Sequence, residues 1–161
     1  VAPLTSTEDR MLAGVLVAIF LASCYGADAD SDMDTTQSTT WNEDESRLAL
    51  DGNSSTCAVS GYDSKNWWTV KFNRTVSLHK LRITGESQPS GIKVHVLTST
   101  DPTKSELCKS WDKGPLPMTN GFNLTCDKTP SPKGDVVKMT FSSKVPFRHS
   151  LCEIDLVTTD A

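Results

Sequence analysis

Two oxygen-rich segments far apart in the chain carry the residue types that hold a hard cation. The first, Asp51-Gly52-Asn53-Ser54-Ser55-Thr56-Cys57, sets a carboxylate, an amide and hydroxyls around a glycine that lets the backbone wrap an ion. The second, Leu151-Cys152-Glu153-Ile154-Asp155-Leu156, sets a half-cystine beside an acid. Calcium takes about six to eight oxygens, mixing carboxylates, amide carbonyls and backbone carbonyls. If Cys57 and Cys152 are bonded, Glu153 is delivered from the far end of the chain to join Asp51, Asn53 and Thr56. The sequence Asp-Gly-Asn is equally an ordinary turn signature, so the residues alone leave a plain turn and a calcium site both open.

The cysteines bear on where such chemistry could operate. Cys24 falls in an apolar run, Leu12 to Ala22 and the small residues after it, that begins behind Met11. The run is too short for a membrane helix and suits the h-region of a signal peptide over 11–29, with residues 1–10 as upstream leader. No transmembrane anchor is expected, and the remaining chain is read as secreted. Four cysteines then remain, Cys57, Cys108, Cys126 and Cys152. An even count in an exported chain indicates two bridges, with three connectivities open. The favoured one is Cys57–Cys152 with Cys108–Cys126. On the loop-entropy model these are worth about 4.7 and about 3 kcal/mol. Sequons stand at Asn53, Asn73 and Asn123. Asn73 and Asn123 are the expected glycan sites, while Asn53 is at once a sequon and a candidate metal ligand.

The elements that must position these groups read as short strands between Pro- and Gly-marked turns. Asp28 to Asp34 alternates acids with small residues and reads as a solvated leader, with folding residues from near Thr35. Trp68, Val70 and Phe72 share one face of a strand. From Val76 to Ile83 the apolar parity changes, which predicts a bulge near His79-Lys80. Gly91–Val96, Gly121–Cys126 and Val137–Phe141 follow, and in Leu151–Val157 the residues Cys152, Ile154 and Leu156 face inward. No helical spacing is sustained. The reading is all-β, a β-sandwich jelly roll held by two disulfides, occupying residues 33–158.

Composition narrows the function classes. The 161 residues carry a net charge of −4 with no basic run, so nucleic acid is not an expected partner. His79, His95 and His149 are scattered, with His149 read as a surface residue. The acids Glu43-Asp44-Glu45 read as solvent-facing. No nucleophile elbow, metalloprotease helix or phosphate loop appears, so no enzyme is expected.

Several landmarks occur in a fixed order: Thr36-Gln37-Ser38-Thr39-Thr40-Trp41, Leu48-Ala49-Leu50-Asp51-Gly52-Asn53, Cys57, Trp67-Trp68-Thr69-Val70, the Cys108/Cys126 pair, Gly134-Asp135-Val136-Val137 and Leu151 to Leu156. In this order the chain resembles the F-type lectin (fucolectin) family of the discoidin-like, galactose-binding-domain-like superfamily. The resemblance implies a galactose-binding-domain-like sandwich with sugar-binding loops at one end and a bound Ca2+. Its ligands would be the Leu48 carbonyl, Asp51, Asn53, Thr56, the Cys152 carbonyl and Glu153. Two departures concern the sugar. Fucose-binding members place a His just after the first bridge cysteine, where this chain has Ala58-Val59-Ser60-Gly61. They place Arg residues where it has Thr84-Gly85-Glu86-Ser87-Gln88-Pro89-Ser90-Gly91. Fucose hydroxyls are held by charged bidentate donors that short residues cannot replace.

The expectation is therefore a secreted, calcium-binding, lectin-like protein without the usual fucose triad, whose partner is a glycan or glycoprotein. Trp41, Tyr62, Lys65, Glu86 and Gln88 are the candidate sugar contacts, ordinary packing being the alternative for Trp41 and Tyr62. The competing reading is a non-lectin adhesion or matrix module on the same fold. Oligomerisation, by which lectins gain avidity, is compatible with the chain, although no oligomerisation segment is visible.

Overall fold

The computed structural model describes residues 33–161, so the leader and signal readings over 1–29 lie outside the described residues. Eight strands follow one another: β1 (Met33–Gln37), β2 (Ala58–Val59), β3 (Asp63–Gly85), β4 (Gly91–Thr98), β5 (Asp101–Trp111), β6 (Phe122–Thr125), β7 (Lys133–Phe147) and β8 (Ser150–Asp160). Two short 3₁₀ turns, Ser46–Leu50 and Met118–Asn120, are the helical elements among the described residues. The all-β expectation and both disulfides, Cys57–Cys152 and Cys108–Cys126, are borne out.

The architecture turns on β3, which is 23 residues long and serves both layers of the sandwich. Its first half pairs antiparallel with β1 and β7. The register against β7 shifts between Lys71 and Val76 and that pairing ends at Ser77; from Val76 onward β3 pairs with β8 and, over Lys80–Ile83, with β6. The expected bulge is present, as a register shift against β8 between Leu78 and Lys80. The extra residue keeps Leu78 and Leu81 both buried although they are an odd number of positions apart. β4 and β5 extend the first layer beyond β7, and β2 extends the second beyond β8.

Strand alternation builds the core. Trp68, Val70, Val94, Val96, Val137, Met139 and Phe141 are fully buried, each on a strand whose intervening residues are more exposed. Burial of side chains this large contributes roughly 1.5–3 kcal/mol each. The indole N–H of Trp68 is not wasted: it donates to the Ser46 carbonyl at 2.9 Å, tying the 3₁₀ turn to the core.

Three local expectations differ from the structure. β1 starts at Met33, inside the stretch read as a solvated leader, because Met33 packs against the core while Asp34 stays exposed. β5 includes Pro102, read as a gap; it is the terminal strand of its layer, where a missing N–H breaks no ladder bond. His149 is fully buried instead of lying on the surface.

Candidate functional site

The ladder between β2 and β8 fixes one end of the sandwich. Ala58 faces Leu151 and Val59 faces Ser150, so Cys57 arrives beside Cys152 and the bridge joins residues 95 apart in sequence. The turn before it is wound on itself. Gly52 sits at φ +73°, a conformation costly for other residues. Asp51 Oδ1 accepts from the Asn53 N–H at 2.9 Å, and the Thr56 hydroxyl donates to Asp51 Oδ2 at 2.5 Å. Asn53 Oδ1 accepts from the Ser55 N–H at 3.1 Å. Leu48 lies half-buried in the 3₁₀ turn that packs on β8.

Glu153 reaches this turn from β8. Its carboxyl is held above the usual range, first by partial burial, then by the charge of Asp155 and, more weakly, of Asp51; backbone amides of Ile154 and Gly52 oppose the shift. Two carboxylates from opposite ends of the chain are thus within each other's field, an arrangement that a cation relieves. Hard oxygen donors, a positive-φ glycine and paired acids fit the donor set calcium requires. Glu86 comes within 4.8 Å of both bridge sulfurs, but these are bonded to each other and are not free thiolates for a metal.

A second cluster forms at the same end. The Arg148 guanidinium carbon lies 3.2 Å from the ring centroid of Trp41 and 4.5 Å from that of Tyr62. Both rings remain open to solvent, Trp41 at 40 % and Tyr62 at 69 % exposure, so packing does not consume them. Hydrogen bonds hold the three segments together. The Trp41 N–H donates to the Val59 carbonyl at 2.9 Å, and the Gly61 N–H to the Thr39 hydroxyl at 2.8 Å. Ser60 and His149 exchange two bonds of 3.0 Å, from the Ser60 N–H to the His149 carbonyl and from the His149 N–H to the Ser60 hydroxyl. Buried Asn66 donates to the carbonyls of Asp63 and Phe147, at 3.2 and 2.8 Å, clamping β3 to the start of the β7–β8 turn. Beneath Arg148, the imidazole of His149 packs 5.1 Å from Phe141 with neither ring nitrogen partnered among the described residues. Burial pushes its pKa down to about 4.

The remaining candidates are spread around this end. Lys65 is exposed on β3, three residues after Tyr62. Glu86 and Gln88 are exposed in the loop after β3, where the Ser87 hydroxyl accepts from the Ser150 N–H at 3.1 Å. No hydrogen bond or ion pair among the described residues links Lys65, Glu86 or Gln88 to Arg148. Asn73 and Asn123 are exposed, as is Asn53. In the segment Ala58-Val59-Ser60-Gly61, which contains no His, Ala58 and Ser60 are buried. Arg148 is the residue the sequence reading missed. No local pattern marks it, since only the long β7–β8 hairpin returns it to Trp41 and Tyr62.

Comparison with known proteins places this geometry in a wider group. The fold is similar to chitosan-binding module 2 of a chitosanase/glucanase from Paenibacillus sp. IK-5, solved with chitotriose (TM-score 0.66, 18 % identity, covering 78 % of this chain and 95 % of that one). It is similar to the family 32 carbohydrate-binding module of Clostridium perfringens NanJ, solved with galactose (TM-score 0.64, 17 % identity, 78 % and 93 %). It is also similar to a fucolectin from striped bass (Morone saxatilis) serum (TM-score 0.63, 17 % identity, 78 %), of which it spans 46 %. At these identities the likeness is one of fold. No curated protein sequence matches the chain. Among the described residues no helix is long and apolar enough to cross a membrane. The family model described as NedA-like, galactose-binding domain matches residues 48–138, more than half of the 161 residues, and the chain belongs to that family.

Proposed function

We propose that the chain is a secreted, non-catalytic carbohydrate-binding domain that receives a sugar on Trp41 and Tyr62. The observation that carries this reading is the pair of solvent-open aromatic rings gathered by one guanidinium at the end of the sandwich. Aromatic faces take the apolar face of a sugar ring, and a polar edge beside them orients its hydroxyls. Support comes from the chitotriose and galactose bound by modules of similar fold. In the neighbouring turn, calcium would be held by Asp51, Asn53, Thr56 and Glu153 with the carbonyls of Leu48 and Cys152. Its role there is to fix the Asp51–Cys57 turn against β8. Two disulfides suit an oxidising compartment, and exposed Asn73 and Asn123 would carry glycans.

Isothermal titration with chitotriose and with galactose oligosaccharides tests the reading. Trp41→Ala and Tyr62→Ala should each weaken binding at least tenfold with little change in melting temperature. Binding that ignores both substitutions, or no binding to any sugar on a broad glycan array, would overturn it.

One feature favours an adhesion module instead. Between the Lys65–Ser142 and Asp63–Phe147 pairs, β7 carries four residues against one on β3, and Val145 among them is 64 % exposed. A protein partner lost on Val145→Ser, with no glycan bound, would select this second reading.

A further inference from the structure

Arg148 differs from the other arginines of the described chain in its partners. Arg47, Arg74 and Arg82 each lie within 4.0 Å of a carboxylate, Glu45, Asp160 and Asp155 respectively. Arg148 has no carboxylate and no hydrogen-bond acceptor among the described residues; its Nε–H is closed off from solvent without a partner. The two Nη groups are not closed off in that way, and they too have no acceptor among the described residues. Asp63 is near in the fold, since it pairs with Phe147, yet its Oδ1 accepts from the Lys65 N–H at 3.0 Å and it forms no ion pair with Arg148. The ring of Trp41 covers guanidinium surface, so the in-plane N–H edge is what remains for a ligand.

A guanidinium fixed by aromatic rings and left without a counter-ion is pre-organised for a planar or tetrahedral oxyanion. Its fork matches a carboxylate or sulfate bidentately, and charge-assisted bonds of that kind are about twice as strong as neutral ones. A neutral sugar hydroxyl uses only part of that capacity. The exposed faces of Trp41 and Tyr62 meanwhile supply the surface for the sugar ring that carries the anion. We propose that the Trp41–Tyr62–Arg148 cluster selects an acidic saccharide, one whose ring stacks on the aromatics while its carboxylate or sulfate takes the Arg148 edge. This inference rests on the carbohydrate reading above and narrows it to anionic glycans.

The matched pair that isolates charge is tri-galacturonic acid against its fully methyl-esterified form, titrated into the wild-type chain. A galactose-sulfate oligosaccharide forms a third arm, which separates a sulfate source from a carboxylate one. At least one anionic ligand should bind tenfold or more tighter than the ester. Arg148→Gln should erase that preference, and Arg148→Lys should restore part of it, because Lys keeps the charge and loses the fork. Melting curves of both variants verify that they fold. Equal or tighter binding of the ester would overturn the inference and leave the carbohydrate reading intact. An anion preference unchanged in Arg148→Gln would also overturn it. Absence of binding in every arm, with an empty glycan array, would sink both.

Discussion

The buried His149 makes acid sensitivity a measurable property of this fold. Its imidazole is fully buried, with no partner for either nitrogen among the described residues and an aromatic neighbour in Phe141. Burial without hydrogen bonds disfavours the charged form, which moves its pKa from 6.5 to about 4. The unfolded chain then binds a proton near pH 6.5 that the folded chain refuses until about pH 4. Stability from this group is full above pH 6.5, is lost as pH falls through that window, and levels off below it. Linkage gives a loss of about 2 kcal/mol at pH 5 and about 3 kcal/mol at pH 4, relative to pH 8. The assay is urea unfolding at pH 8, 6, 5 and 4 for wild type and His149→Phe, with midpoints converted through a shared m-value. Phe keeps a ring against Phe141 and has nothing to protonate or leave unpaired, so its stability at pH 8 should match or exceed wild type. Carboxylates also titrate in acid; Asp101, for example, is held below its usual range by the Thr103 hydroxyl. These are common to both proteins and cancel in the difference. The reasoning is refuted if the two proteins lose stability in parallel between pH 8 and 4, or if the imidazole proton resonances titrate at or above pH 6.

Three further outcomes follow from the same end of the molecule. Calcium at about a hundred times its Kd should stabilise the fold by about 2.7 kcal/mol, a rise in melting temperature of roughly 10 °C. Asp51→Asn with Glu153→Gln should abolish that response, as read by scanning calorimetry with and without chelator. Replacing Cys57 and Cys152 by Ala should cost about 4.7 kcal/mol against about 3 for Cys108 and Cys126; calcium titration of the two double variants should show that only the first loses the ion. Asn66→Ala, which frees the carbonyls of Asp63 and Phe147, should cost about 2 kcal/mol in chemical denaturation and loosen sugar binding by releasing the β7–β8 turn.

Local rules made much of the frame legible. Period-two alternation located β3, β4, β7 and β8, and one change of parity located the bulge at His79-Lys80, because a strand with one buried face cannot absorb an extra residue silently. Bridge pairing was readable because the two cysteine pairs sit at the ends of the domain and in its middle. The failures share a different cause. Met33 and Pro102 were misjudged because position within the sheet, core side for one and terminal strand for the other, overrides local composition. His149 was placed outside because its neighbours, Pro146 and Arg148, look like a surface turn, whereas Ser60 draws its backbone inward through two hydrogen bonds.

The site was the least legible part, and the reason is topological. Trp41, Tyr62 and Arg148 belong to three connections, before β2, between β2 and β3, and between β7 and β8. Nothing in the spacing of 41, 62 and 148 signals a cluster; the strand order β2-β8-β3-β7 creates it by bringing those connections to one end. The same order explains how a guanidinium can stand at this end although neither Ala58–Gly61 nor Thr84–Gly91 contains a His or an Arg. Each connection at that end reaches common ground, so the donor can come from any of them without disturbing the core. A motif search restricted to the customary segments therefore reports a missing site, while the charge that would read the ligand arrives from a turn nearly ninety residues further along the chain than Tyr62.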